Sequence, residues 1–273
     1  MQTLIKIFSF ILISSTSMQV AAFDGDQNIK EAEKRYADCM ALAQNSPDKG
    51  IALALEWQTE GAGVPARHCE AVGLYHLGEF AEAAIRLDQL VEDIRTGRQM
   101  PINDGKRMVG GALLLADMYD QAANAWLMAN EITRAETAID NALSLVPETS
   151  TQAQTYLIDR ARIAAFDGDY ALAYADLQKV YEMNSGRADI LLFLASAARS
   201  LNYLDEARAA LTTYLSVYSD DPTAHLEMGN LEHETGNLAA ARQSWLKVLR
   251  LQEAGPDAEA ARHNLEKMDL KPE

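Results

Sequence analysis

One short motif recurs along this chain at a nearly constant interval. At five places an alanine lies five residues after a glycine or an asparagine, and the last three of these alanines are 34 residues apart. This interval is the length of a helix–turn–helix repeat, and a repeated unit determines the architecture of the chain that contains it. The turn residues are Gly78, Asn130, Gly168, Asn202 and Gly236, and the alanines are Ala83, Ala135, Ala173, Ala207 and Ala241.

The residues around each turn predict two antiparallel helices that cross closely. A turn between such helices needs a residue with a left-handed backbone, and glycine and asparagine adopt that conformation most readily. The alanine after the turn and the residue seven positions before it are both small, because larger side chains would push the helices apart. The earlier small residues are Ala71, Ala123, Ala161, Ala195 and Gly229.

Apolar residues follow each turn at the spacing of one helix face. They stand two, nine and twelve residues after the turn, as Phe80, Leu87 and Leu90 do in the first unit. This spacing indicates a stripe that is buried between neighbouring units. Aligned on the turn, the five units span about 64–97, 116–149, 154–187, 188–221 and 222–255.

The combined pattern resembles the tetratricopeptide repeat over about 64–255, which is most of the mature chain. The resemblance implies an all-α fold, namely a right-handed α-solenoid of antiparallel helix pairs wound into a superhelix. Two departures are that Glu232 stands where the family usually has tyrosine, and that 52 residues separate Gly78 from Asn130. We assign the surplus to an irregular insert at 98–115. Residues 23–63 are predicted to form a degenerate helical pair and 256–273 a capping helix and tail, since solenoids need polar ends.

The first 22 residues are predicted to be a secretory signal peptide. Lys6 lies beside an apolar run that reaches Ile13, and small residues precede a cleavage site between Ala22 and Phe23. Export without an anchor would place the protein in a bacterial periplasm, or outside the cell. An N-terminal anchor that is not cleaved is the alternative.

The charge of the chain excludes some classes of partner. The formal net charge is −16, and removal of Lys6 with the leader would make the mature chain more acidic still. Such a surface repels phosphate backbones and anionic lipid headgroups. We therefore expect no nucleic-acid partner and, after cleavage, no stable insertion into a membrane.

The chain has two cysteines, Cys39 and Cys69. An even number in an exported protein favours a disulfide, and the alignment places both midway along the first helices of consecutive units. Closing a loop of about 30 residues contributes roughly 3–4 kcal/mol in the chain-entropy model. Two buried thiols are the alternative. A metal site is disfavoured because His68 and Cys69 are adjacent on a helix and point in different directions.

No recognised catalytic or cofactor-binding motif is present. The chain has no GxSxG, Walker or dinucleotide-binding pattern, and the pair His233 and Glu234 lacks the second histidine of HExxH. We therefore predict no catalytic residue, no metal site and no cofactor.

The resemblance also implies a concave groove, lined by first helices, that binds an extended or helical peptide. The lysine of the clamp used by chaperone-binding members is replaced by His68 or Asp120 in the first two units, which argues against that role. For each groove candidate, ordinary packing or solvation is the alternative. The candidates by register are Tyr75, His76, Asn124, Met128, Arg162, Phe166, Arg199, Asn230 and His233.

These observations predict a non-catalytic periplasmic scaffold or adaptor that binds a protein or peptide partner, in envelope assembly, secretion or protein maturation. An accessory regulatory subunit of a cell-wall enzyme is the alternative. An enzyme whose site has no recognisable motif and a self-assembling array are two further classes.

Overall fold

The computed structural model describes residues 27–103 and 106–270. Across these residues it has thirteen α-helices, one short 3₁₀ turn and one two-stranded hairpin. The predicted all-α solenoid of antiparallel helix pairs is therefore confirmed, with the hairpin as an addition. The described chain forms two compact units, one ending at Ile163 and the other beginning at Ala164.

The N-terminal unit contains the first six helices and most of the seventh. Two of its helices precede the predicted repeats, and the hairpin lies between the fourth and fifth helices. The elements are α1 (Gln27–Asn45), α2 (Pro47–Thr59), α3 (Val64–Leu77), α4 (Phe80–Thr96), β1 (Ile102–Asn103), β2 (Lys106–Arg107), α5 (Ala112–Met128), α6 (Ile132–Ser144) and α7 (Thr151–Asp167).

The C-terminal unit continues the same alternation of helices and ends in a single additional helix. This last helix packs against both members of the final pair. The elements are α8 (Tyr170–Met183), the 3₁₀ turn (Ala188–Ile190), α9 (Leu191–Ser200), α10 (Leu204–Val217), α11 (Pro222–Glu234), α12 (Leu238–Leu251) and α13 (Pro256–Leu270).

The turns and the small crossing residues are as predicted. All five turn residues have a left-handed backbone, including the two asparagines, whose φ values are 62° at Asn130 and 61° at Asn202. All five alanines of the second helices are fully buried. At Gly229, the small residue of the last repeat, an added Cβ would lie 2.4 Å from Nε1 of Trp245. Small residues at these positions thus set the distance between the helices of a pair.

The insert between α4 and α5 is held to the neighbouring helices by an ion pair of Arg98 with Asp93 and by a backbone hydrogen bond to α3. Asp93 is almost fully buried and accepts hydrogen bonds from Arg67 and Arg98. The backbone N–H of Val64 donates to the carbonyl of Gln99 at 3.0 Å. The strand pair lies in the segment predicted as an irregular insert, and α5 begins at Ala112, ahead of the repeat that the alignment starts at 116.

Cys39 and Cys69 form a disulfide between α1 and α3. Their Cα atoms are 6.0 Å apart, and both residues are fully buried. The bridge joins the helical pair that precedes the repeats to the first repeat. The disulfide predicted from the cysteine count is thus present.

Candidate functional site

In the N-terminal unit, polar side chains of three first helices meet. Arg162 on α7 donates a hydrogen bond to Oδ1 of Asn124 on α5 at 3.3 Å. Tyr75 on α3 lies close enough to Arg162 and Asp159 for their charges to act on its hydroxyl, and burial raises the pKa of Tyr75 to about 12. We call the surface formed by α3, α5 and α7 the N-terminal face.

The charge of Arg162 is compensated inside the protein. Its guanidinium forms an ion pair with Asp159, one turn earlier on α7. Such a charge-assisted bond orients the arginine along its own helix. Arg162, which was predicted to contact a ligand, therefore already has a carboxylate partner.

Asp120 on α5 lies in an acidic environment. Burial raises the pKa of this carboxyl well above its usual value, and the neighbouring charges of Asp159 and Asp117 raise it further against the opposing effect of Arg162. A hydrogen bond joins Asp120 to Asp159. The protonated form of Asp120 is thereby favoured, because two nearby carboxylates resist ionising together.

A buried histidine, His68, connects α3 to α1 and α5 through its two ring nitrogens. Nδ1 of His68 lies 2.6 Å from the hydroxyl of Tyr36, and Nε2 lies 2.8 Å from Oε1 of Gln121 on α5. The amide oxygen can only accept, so Nε2 carries the proton and Nδ1 accepts from Tyr36. Burial lowers the pKa of His68 against the opposing effect of the Gln121 hydrogen bond. The imidazole is thus neutral and fully bonded, and it is not available as a metal ligand.

The other candidates on this face differ in their access to solvent. Met128 is 47% exposed and His76 is exposed, while Tyr75 is half-buried and packs edge-on against Phe80. Asn124, in contrast, is buried, and its amide donates to the backbone carbonyl of Asp120 at 3.1 Å. Asn124 was predicted to contact a ligand, but its hydrogen bonds are made within the protein. Register identifies the face of a helix but does not say how deeply a residue lies in it.

In the C-terminal unit, Arg199 on α9 and Asn230 on α11 hydrogen-bond to other side chains of the protein. Arg199 donates to Oε1 of Glu227 at 2.7 Å and to Oε1 of Glu234 at 2.5 Å. Asn230 accepts at Oδ1 from Nε1 of Trp245 at 3.2 Å and from Nδ2 of Asn264 on α13 at 2.9 Å. Arg199 and Asn230 therefore bind structural partners, although both were predicted as ligand contacts.

Two candidates of the C-terminal unit are open to solvent. Phe166 is 38% exposed, and His233 is exposed with its ring 5.7 Å from that of Trp245. Several other residues of the first helices α3, α5 and α9 are buried. These are His68, Val72, Leu127, Leu192 and Ser196.

Sequence reasoning missed the carboxylates that hold the two arginines. Asp159 lies three residues before Arg162, which is a common helical spacing and attracts no attention by itself. Glu227 belongs to a different helix from Arg199, so no local pattern connects the two. The hydroxyl of Tyr156, which donates to Oδ1 of Asp117 at 2.6 Å, likewise has its partner on another helix.

Within 27–103 and 106–270, no group of histidine, cysteine and acidic residues is arranged to hold a metal ion. In the same part of the chain, no helix is both long enough and apolar enough to cross a bilayer. The proposed cleavage site between Ala22 and Phe23 lies outside the described residues.

Comparison with known proteins agrees with the repeat pattern. Residues 167–224 match the family model described as tetratricopeptide repeat. No curated protein matches the chain at a significant level. The sequence-level match thus covers the end of α7 through the start of α11.

Solved structures of similar fold cover much more of the chain. YrrB, described as a tetratricopeptide repeat protein with an unusual peptide-binding site, is 16% identical, with 82% of this chain and 99% of YrrB covered and a TM-score of 0.54. PilF of Pseudomonas aeruginosa is 11% identical, with 86% of this chain and 99% of PilF covered and a TM-score of 0.61. MamA of Desulfovibrio magneticus is 15% identical, with 70% of this chain and 95% of that structure covered and a TM-score of 0.57. At these identities the likeness establishes the fold alone.

Proposed function

Because the chain carries tetratricopeptide repeats, we propose that it is a non-catalytic scaffold that binds a segment of a partner protein on its first helices. YrrB, which has a similar fold, is described by its peptide-binding site. That description supports the proposal as an analogy of fold. The residues of the present chain supply the rest of the argument.

The observation that carries the proposal is the composition of the N-terminal face. The exposed thioether of Met128 and the half-buried ring of Tyr75 belong to helices whose polar groups are held by mutual bonds. Methionine and aromatic residues are enriched at protein interfaces. A rigid polar frame beside an exposed, adaptable apolar side chain suits the capture of a peptide, since little order must be created on binding.

Photo-crosslinking from the N-terminal face tests this proposal. We would replace Met128 by p-benzoylphenylalanine in the full-length protein, express it in the native host, and irradiate the cells. We expect crosslinking to one discrete partner, and an excess of the unmodified protein should reduce this crosslinking. The matched control carries the same group at Ile85, which is 38% exposed on the second helix α4. Equal crosslinking from both positions would contradict binding on the first helices.

A second test uses the C-terminal unit. Phe166→Ala should weaken capture of the crosslinked partner without changing helicity, because an exposed aromatic ring contributes to an interface more than to the core. Leu172→Ala on α8 is the control, since Leu172 is 36% exposed on a second helix. Undiminished capture by the Phe166 variant would limit the binding surface to residues of the N-terminal unit, which ends at Ile163.

We further propose that the protein is exported to the periplasm. Support comes from the composition of residues 1–22 and from the Cys39–Cys69 disulfide, since disulfides persist in oxidising compartments. Cell fractionation should recover the protein in the periplasmic fraction with Phe23 as its first residue. Recovery of protein that still begins at Met1 would disprove cleavage.

A further inference from the structure

On the N-terminal face, the positive charge of Arg162 is compensated, and a further acidic residue, Asp120, lies nearby. Arg162 is paired with Asp159, so a ligand does not meet an available guanidinium there. The charges that act on Asp120 are two carboxylates, Asp117 and Asp159, and this one arginine. An approaching cation would therefore meet an electrostatically favourable surface, whereas an anion would not.

Asp120 itself has unused capacity to accept hydrogen bonds. Among the described residues, its Oδ1 atom has no hydrogen-bonding partner although that atom is buried. The residue as a whole is only partly buried. A cation that approaches the exposed side of this residue would offset the repulsion from Asp159, so that both groups could ionise.

The distance between Asp120 and the exposed Met128 limits the ligand. The two residues are eight positions apart on α5, which corresponds to about 12 Å along the helix axis. An extended peptide advances about 3.3 Å per residue and turns alternate side chains to the same side. Two side chains four positions apart in such a peptide are separated by about 13 Å, which matches the helix spacing.

We propose that the N-terminal face binds an extended segment of a partner protein in which a lysine or arginine lies four residues from a large apolar residue. The basic side chain contacts the carboxyl of Asp120, and the apolar one covers Met128. This inference rests on the proposed function and specifies the chemistry of its partner. The net charge of −16 favours approach of such a segment at low ionic strength.

Defined peptides test the inference directly. The probe is a fluorescein-labelled nonapeptide of glycine and serine with arginine at its third position and leucine at its seventh, and its binding is followed by fluorescence anisotropy in low salt. Two companions carry glutamine or glutamate in place of the arginine. We expect the arginine peptide to bind at least about tenfold more tightly than either companion, because a hydrogen bond to a charged group is stronger than a neutral one.

The variant Asp120→Asn assigns the effect to one carboxyl. It keeps the size of the side chain and leaves the Arg162–Asp159 ion pair intact, so its melting temperature should equal or exceed that of the wild type. Its affinity for the arginine peptide should fall about tenfold. Glu136→Gln on α6 replaces a different carboxyl of the same unit by an amide and should bind as the wild type does.

Each other result would overturn the inference. The first is equal affinity for the arginine and glutamine peptides, the second is unchanged binding by Asp120→Asn, and the third is absence of binding by all three peptides. The fourth is a wild-type dimer that Asp120→Asn dissociates, because a second copy of the chain would then be the occupant. If crosslinking from Met128 still captures a partner in those cases, the proposed function stands and only the basic segment is disproved. If that crosslinking also fails, the proposed function fails with it.

Discussion

Replacing Gly229 by alanine tests the close helix crossing, since two effects of opposite sign compete at this position. Alanine is about 1 kcal/mol more favourable than glycine inside a helix. The added Cβ, however, would lie 2.4 Å from Nε1 and 2.5 Å from Cδ1 of Trp245, which is almost fully buried. Unstrained carbon contacts are about 3.5–4.0 Å, so the indole ring must move by roughly 1 Å.

The movement of the ring has a cost in packing and in hydrogen bonding. Overpacking a core position costs about 1–3 kcal/mol, and displacement of the indole weakens its 3.2 Å hydrogen bond to Asn230, which contributes about 1 kcal/mol. After subtraction of the helix-propensity gain, we expect Gly229→Ala to lower the free energy of unfolding by about 1–3 kcal/mol. In a chain of this size the melting temperature should fall by about 2–4 °C for each kcal/mol.

Urea unfolding followed by circular dichroism measures this change. In a Trp245→Leu background the contact is absent, so Gly229→Ala should cost much less there, and the difference between the two backgrounds gives the coupling of the two residues. A stabilisation of about 1 kcal/mol in the wild-type background would show that helix propensity prevails. The argument that Gly229 is small because the helices cross closely would then be wrong.

Three further predictions concern other parts of the chain. Ala173→Leu should lower the free energy of unfolding by about 1–3 kcal/mol through overpacking, and an unchanged melting temperature would refute the assigned crossing. Thiol labelling of unreduced, denatured protein should modify neither Cys39 nor Cys69, whereas Cys39→Ser with Cys69→Ser should destabilise by roughly 3–4 kcal/mol. Burial lowers the pKa of His68, so the unfolded chain binds a proton at a higher pH than the folded one, and stability should decrease as the pH falls below about 6.5. His68→Gln should remove that part of the pH dependence, and an identical pH profile for the variant would count against a neutral His68.

The parts of the fold that depend on local backbone conformation were predictable from sequence. Gly78 and Asn202 mark turns because few residues tolerate a left-handed backbone, and Ala173 is buried because the crossing leaves no room. The hairpin at 102–107 was not predictable in this way. The backbone bond from Met108 to the carbonyl of Pro101 extends the pairing of its strands, and the chain before it is held by the pairing of Asp93 with Arg67, which is 26 residues away in the sequence.

The candidate site was predictable only as a set of positions. Register selected Met128 and Phe166 among its candidates, and both are partly exposed near the C-terminal ends of α5 and α7. It could not show that Arg162 is paired with Asp159 or that Asn124 is buried. Those properties depend on distances between helices and on the rotamers of long side chains, which a periodic pattern does not contain.

The disulfide has a consequence for the direction in which the protein unfolds. In a linear array each repeat is stabilised by its neighbours, so the terminal units, which have a neighbour on one side only, open first. The bridge between α1 and α3 prevents the first helices from separating, whereas α13 is held to the C-terminal unit by non-covalent contacts. Amide hydrogen exchange should therefore begin at α13 in the oxidised protein, and reduction should allow the N-terminal end to exchange as early as the C-terminal one.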